Sequence, residues 1–102
     1  MNKYNVITLC GPIKFKEEFE KIREELTLAG NIVLTPNFFH SVKKEEINNE
    51  TKKMLDEMHK QKIDMSDEIY VINAGGYIGE STKSEIEYAK TKNKKISYLE
   101  NN

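Results

Sequence analysis

Residues 68–89, EIYVINAGGYIGESTKSEIEYA, decide how the rest of the chain is read. Glu68 to Asn73 is short, rich in β-branched and aromatic residues, and halts at a run of small residues, so it predicts a buried strand. Ala74 to Gly79 is a loop whose glycines let the backbone take positive φ and approach a ligand closely. A helix follows. Thr82 and Glu85 stand at the spacing of a capping box, and Ser81 is an equally good N-cap. Strand, glycine loop and helix N-terminus make the kind of junction where open α/β sheets bind ligands. The free N–H groups of the first helical turn favour anions there.

Outward from this block, strands and helices alternate. Tyr4 to Cys10 (YNVITLC) predicts a first strand, ended by the turn Gly11-Pro12-Ile13. Lys14 to Ala29 predicts a helix, because Phe15, Phe19, Ile22, Leu26 and Ala29 recur at intervals of three and four. Gly30 is its C′ residue. Asn31 to Thr35 is a second short strand, closed by Pro36, and the three elements form a right-handed βαβ unit. Asn37 to Val42 is a loop at a strand end. Its Phe38 and Phe39 either face a ligand or cover the core edge or a subunit interface. Lys43 to about Ser66 is mostly helical, with a rough stripe of Ile47, Met54, Leu55, Met58 and Met65 and a break near Asn48-Asn49. The block above supplies the central strand and a helix from Ser81 to Asn93, and Ile96 to Leu99 is the last strand. The expected fold is a single domain over residues 1–102: a three-layer α/β sandwich of Rossmann or flavodoxin type with about four to five parallel strands.

Composition narrows the function. A chain of 102 residues with 37% hydrophobic and 32% charged residues builds one modest core. A small sheet leaves one face poorly covered, so a homodimer or higher homo-oligomer is expected. Sixteen basic and 17 acidic residues give a net charge of −1, which carries no nucleic-acid footprint. The single cysteine, Cys10, excludes an internal disulfide framework and a cysteine-based zinc site. No apolar run has membrane-spanning length, and no signal-peptide core is visible, so a soluble cytoplasmic protein without a membrane partner is expected. No GxGxxG, P-loop or GxSxG motif occurs, which counts against a dinucleotide dehydrogenase, an NTPase and a serine hydrolase.

The residues that could carry chemistry each have two readings. Glu85, in the first turn of the last helix, is either a nucleophile over the glycine loop or the second half of the Thr82 capping box. Glu80 is either a loop carboxylate or a partner of the helix dipole. His59, near the seam of its helix, is either an acid or a packing residue, and without a second ligand at helical spacing it argues against metal. His40 is less constrained. Asp67 caps the turn into the central strand, while Asp64 is ambiguous.

The strand ending in Leu-Cys-Gly-Pro-Ile resembles the "AGPI" turn of nucleoside 2-deoxyribosyltransferases. The Asp67-led strand, glycine loop and Ser-Glu-Ile-Glu-Tyr-Ala are similar to that family's "aD…G…E-x-G-x-A" block. The superfamily also holds the 2′-deoxynucleoside 5′-monophosphate N-glycosidases, and the chain looks like a small phage or bacterial branch of it. The resemblance implies cleavage or transfer at the N-glycosidic bond of a nucleoside or nucleotide, without a cofactor. It implies that Glu85 attacks the anomeric carbon, that Gly11, Pro12 and Ile13 line sugar and base, and that Gly79, Glu80, Ser81 and Thr82, with Gly76, contact the sugar 5′ group or its phosphate. It matches Asp67 to the family's aspartate at the strand start. His59 falls near the family's usual aspartate that assists departure of the base. The other function class consistent with these residues is a nucleotide-binding module without turnover, a sensor or a sequestering protein.

Overall fold

In the computed structural model, which describes residues 3–39 and 41–101, four parallel strands form one sheet. They are β1 (Val6–Cys10), β2 (Ile32–Leu34), β3 (Glu68–Val71) and β4 (Lys95–Tyr98), in spatial order β2-β1-β3-β4. Three α-helices connect them: α1 (Lys16–Leu28), α2 (Asn49–Asp64) and α3 (Glu80–Thr91). The architecture is the expected three-layer α/β sandwich of Rossmann or flavodoxin type, in its four-stranded form. His40 lies outside the described residues.

Side-chain alternation along the strands sorts the core into two layers. Ile7, Leu9 and Ile72 face α1 and pack on Phe19 and Ile22. Cys10, Ile69 and Val71 face the opposite way, onto Ile63 of α2 and Ile86 and Ala89 of α3. Each fully buried aliphatic side chain contributes about 1.5–3 kcal/mol. Right-handed crossovers require this split, because the chain leaves β1 in one direction for β2 and returns in the other for β3 and β4. The reversal makes the carboxyl ends of β1 and β3 the topological switch point, where such sheets bind ligands. Among the described residues no helix is long and apolar enough to cross a membrane.

Local chemistry sets where the elements end. After α1, the N–H groups of Gly30 and Asn31 bond to the carbonyls of Thr27 and Leu26, with Gly30 at φ 97°, which is a Schellman closure. Pro12 opens a single 3₁₀ turn over Ile13–Phe15, so α1 begins two residues later than its apolar periodicity suggests. The expected break near the asparagines is present: a 3₁₀ turn at Lys44–Glu46 ends before α2, and the Asn48 side chain caps α2 by accepting from the Thr51 N–H at 2.8 Å. Phe38 packs edge-on to Phe19, with ring centres 5.3 Å apart, whereas Phe39 is exposed.

The two edges of the sheet are pinned differently. At the amino edge, Asp67 accepts from the Val6 N–H at 2.8 Å and its own N–H donates to the Val6 carbonyl. The Thr8 and Ser66 hydroxyls meet and both reach the Lys62 carbonyl. At the carboxyl edge, the buried Asn73 amide donates to the Glu100 carbonyl and accepts from the Glu100 N–H, both at 2.9 Å. The Glu100 carboxylate accepts from the Gly75 N–H at 2.7 Å, so the segment after β4 holds the glycine loop.

Gly11 is the tightest point. A Cβ there would lie 2.7 Å from the Ile72 carbonyl oxygen and 3.0 Å from the Ile72 Cβ. Gly11→Ala is therefore expected to lower unfolding stability by about 1–3 kcal/mol in urea titrations, through overpacking. A loss under 0.5 kcal/mol would mean that the β1–β3 junction yields to a methyl group.

Candidate functional site

Three elements deliver three different functional groups to one point. Cys10 is the last residue of β1 and points to the α2/α3 face. His59 lies on the inner seam of α2, one turn before the buried Ile63. Glu85 lies on the stripe of α3 that also carries Thr82, Ile86 and Ala89. The Cys10 Sγ is 3.4 Å from His59 Nε2, and that nitrogen is 3.7 Å from Glu85 Oε1. The His59 and Glu85 side chains are only 9% and 17% exposed. Beside them opens a cleft of about 100 Å³ lined by Asp56, Lys60, Ser81, Ser84 and Glu85.

Burial dominates the electrostatics. It pushes the Glu85 carboxyl up to about 7; the Cys10 hydrogen bond and Lys60 pull it down, while Asp56 pushes it further up. Burial, aided by the positive charge of Lys62, pushes His59 down to about 4. At neutral pH the imidazole is uncharged, so the 3.7 Å contact is not a salt bridge in the ordinary sense. The Cys10 thiol is raised well above its ordinary value by burial first and by Glu85 second. It is held protonated, which argues against a cysteine–histidine nucleophile pair. Among the described residues, His59 Nδ1 is buried without a hydrogen-bond partner.

The profile of the family described as Domain of unknown function (DUF4406) matches residues 5–98. The chain belongs to this family. A search of curated proteins finds no match. The matched span of this DUF4406 chain includes all three converging residues and every strand.

Several sequence expectations find their places here. Gly11, Pro12 and Ile13 lie at the end of β1, and Ile13 is exposed. Tyr77 joins this turn to the glycine loop: its ring receives Lys14 Nζ at 4.0 Å and meets Phe15 edge-on. Gly75 and Gly76 adopt the positive φ expected of the loop. Ser81 lines the cleft.

Other expectations are corrected. α3 starts at Glu80 with Gly79 as N-cap and no side-chain cap. The capping box of Thr82 and Glu85 therefore does not form, and neither does a Ser81 cap. Thr82 is buried in the helix and Glu85 sits in the second turn, because Gly79 already provides the extended entry that a cap needs. Glu80 points outward, 94% exposed, and pairs with Lys83 at 3.5 Å. Asp67 is at the opposite edge of the sheet, with about 13 Å of strand between it and Val71, and its carboxylate accepts from the Val6 N–H of β1 in place of capping the turn into β3. It therefore stands away from the cleft. Asp64 accepts the Tyr88 hydroxyl and ties α2 to α3.

Sequence reasoning did not assign Cys10, Asp56, Lys60 or Ser84 to a site. Cys10 had a usable signal, since it is the last strand residue before Gly11 and shares the facing of Thr8. Asp56 and Lys60 bracket His59 on the helix, a pattern indistinguishable in one sequence from a solvated face.

The two lowered charges oppose each other with pH. Glu85, raised to about 7 from 4.5, favours the fold fully below pH 4.5, and this is lost as pH rises to 7. His59, lowered to about 4 from 6.5, favours it fully above pH 6.5, and this is lost as pH falls to 4. The native pair is thus expected to show little net change over the shared window. His59→Gln should expose the Glu85 slope, a loss of roughly 3 kcal/mol from pH 4.5 to 7. Glu85→Gln should expose a rise of similar size from pH 4 to 6.5. Urea unfolding across pH checks this, and superimposable profiles for all three proteins would refute it.

Proposed function

We propose that this protein cleaves or transfers at the N-glycosidic bond of a (deoxy)nucleoside or its 5′-monophosphate, with Glu85 as the nucleophile. The observation that carries the reading is the recessed Glu85 carboxyl, held at the carboxyl edge of the sheet between Cys10, His59 and a small polar cleft. The resemblance of the Gly-Pro-Ile turn and of the block around Glu85 to nucleoside 2-deoxyribosyltransferases supports it.

The chemistry is balanced by simple steps. The ionised Glu85 oxygen bonds to the anomeric carbon, and the base departs with the electrons of the C–N bond and takes up a proton from solvent, which the attacking water returns in the second step. Water, or a second base, then attacks the same carbon and releases Glu85, as in retaining glycoside hydrolysis. Water gives hydrolysis and a base gives transfer. His59 is uncharged near neutrality, so it serves better to orient the carboxyl than to protonate the base. The positive charge of Lys60 favours the ionised carboxylate that attack needs.

The size of the cleft bears equally on this reading and on the second one, a nucleotide-binding module without turnover. A cleft of about 100 Å³ is well below the roughly 300 Å³ at which small-molecule pockets begin. A homo-oligomer reconciles this size with catalysis, because a neighbouring copy would enlarge and close the site. The exposed Phe39, Met54 and Met58 supply apolar surface for it. Sedimentation should then show a species at least twice the 11.9 kDa monomer mass. A monomer at all concentrations would remove this part of the reading.

The deciding experiment is free-base release from a panel of nucleosides and 5′-monophosphates, resolved by chromatography. Release is expected to fall by about 10³-fold or more in Glu85→Gln with binding retained. Since attack needs the carboxylate, kcat/KM should rise with pH and level off above the Glu85 value of about 7. Thermal stabilisation by one nucleotide without release of any base would favour the binding module.

A further inference from the structure

We propose that Cys10, His59 and Glu85 form an exchangeable site for a zinc-class divalent ion, against the expectation drawn from a single cysteine and from ligand spacing along the chain, because the donors meet only in three dimensions. The donors are a sulfur, an imidazole nitrogen and a carboxylate oxygen, a set that suits tetrahedral zinc. All three donor atoms lie within 4.8 Å of one another. A tetrahedral ion bonded at about 2.3 Å to sulfur and about 2.1 Å to nitrogen and oxygen sets its ligand atoms about 3.4–3.6 Å apart. The Sγ–Nε2 and Nε2–Oε1 separations of 3.4 and 3.7 Å lie within a few tenths of an ångström of these values, and the sulfur–carboxylate pair, within 4.8 Å, closes by a side-chain rotation.

The donors come from β1, α2 and α3, so their convergence belongs to the packed core and not to one flexible segment. Charge is matched as well. Binding releases the protons of the Cys10 thiol and the Glu85 carboxyl, and a dication with one thiolate, one carboxylate and a neutral imidazole leaves a centre of zero net charge in the interior. Three protein ligands leave the fourth position to a group drawn from the cleft lined by Asp56, Lys60, Ser81 and Ser84.

One feature limits the strength. When Nε2 binds metal, Nδ1 carries the proton, and Nδ1 is buried with no acceptor. Loss of that outer hydrogen bond typically costs about 10–100-fold in affinity. The site is therefore one that gains and loses its ion, unlike a structural zinc centre. Occupancy takes the Glu85 carboxylate out of use, so metal and glycosidic attack are alternatives at the same side chain. The site itself does not depend on the proposed chemistry.

Cobalt(II) tests it directly. The chain has one cysteine, so a near-ultraviolet thiolate-to-cobalt absorption can come only from Cys10. Titration of the chelator-stripped protein should give this band with saturation at one equivalent, intense visible absorption typical of a tetrahedral ion, and reversal by zinc. Cys10→Ser should abolish the band. His59→Gln, checked as folded by circular dichroism, should weaken cobalt binding at least tenfold. Absence of the band in the native protein would overturn the proposal, as would undiminished affinity in folded His59→Gln. Base release measured separately under chelation keeps the two readings apart. Release without cobalt binding would sink only the metal site, and cobalt binding without release only the glycosidic reading.

Discussion

β1 and β3 lie side by side through a gap at their carboxyl ends that only a residue without a side chain can fill. The Ile72 N–H donates to the Cys10 carbonyl at 2.7 Å, and the next residue, Gly11, faces the Ile72 carbonyl at a distance no Cβ tolerates. That approach holds the two central strands together at the point where the chain turns away to α1. It also aims Cys10 at α2 and α3, because a one-residue change of register would turn every side chain of β1 to the other face. The cluster at the site is a consequence of this packing.

The cluster itself is an unfavourable arrangement for a small domain. Three groups that prefer water or a charged partner are buried together, and each is pushed toward its neutral form. His59 even leaves one ring nitrogen without a partner. Among the described residues, ten buried hydrophobic residues besides Cys10, spread over the two core layers, supply the stability that tolerates it. Burial holds the Glu85 carboxyl at about 7 at the carboxyl edge of the sheet, so its protonation changes near neutrality, the range in which acid–base groups operate.

The two halves of the carboxyl edge differ in how they are built. The glycine loop is tied to Glu100 through the Gly75 N–H and to the start of α1 through Tyr77, whose ring receives Lys14 and meets Phe15 edge-on. The helix side is instead held by apolar packing of Ile86 and Ala89 and by the Tyr88–Asp64 bond. A polar, hydrogen-bonded loop thus faces a rigid helix seam, and the carboxyl of Glu85 stands on the rigid side.

From one sequence, the alternation of strands and helices, the buried Glu68 strand, the Gly30 helix stop and the break before Asn49 were all legible. Each depends on residues within a few positions of one another: periodicity, turn chemistry and capping are local. The start of α3 was misread because Gly79 and Thr82 are both acceptable caps locally, and burial of Thr82 against the core chose between them. Asp67 was expected to cap the turn into its own strand, but its carboxylate instead accepts from Val6 across the sheet, at the edge away from the cleft, because pairing of β1 with β3 brings that N–H to it. What only the tertiary structure decided is the meeting of Cys10, His59 and Glu85. These residues are separated by 49 and 26 positions in the chain and become neighbours only when three elements pack, so no spacing rule could have joined them.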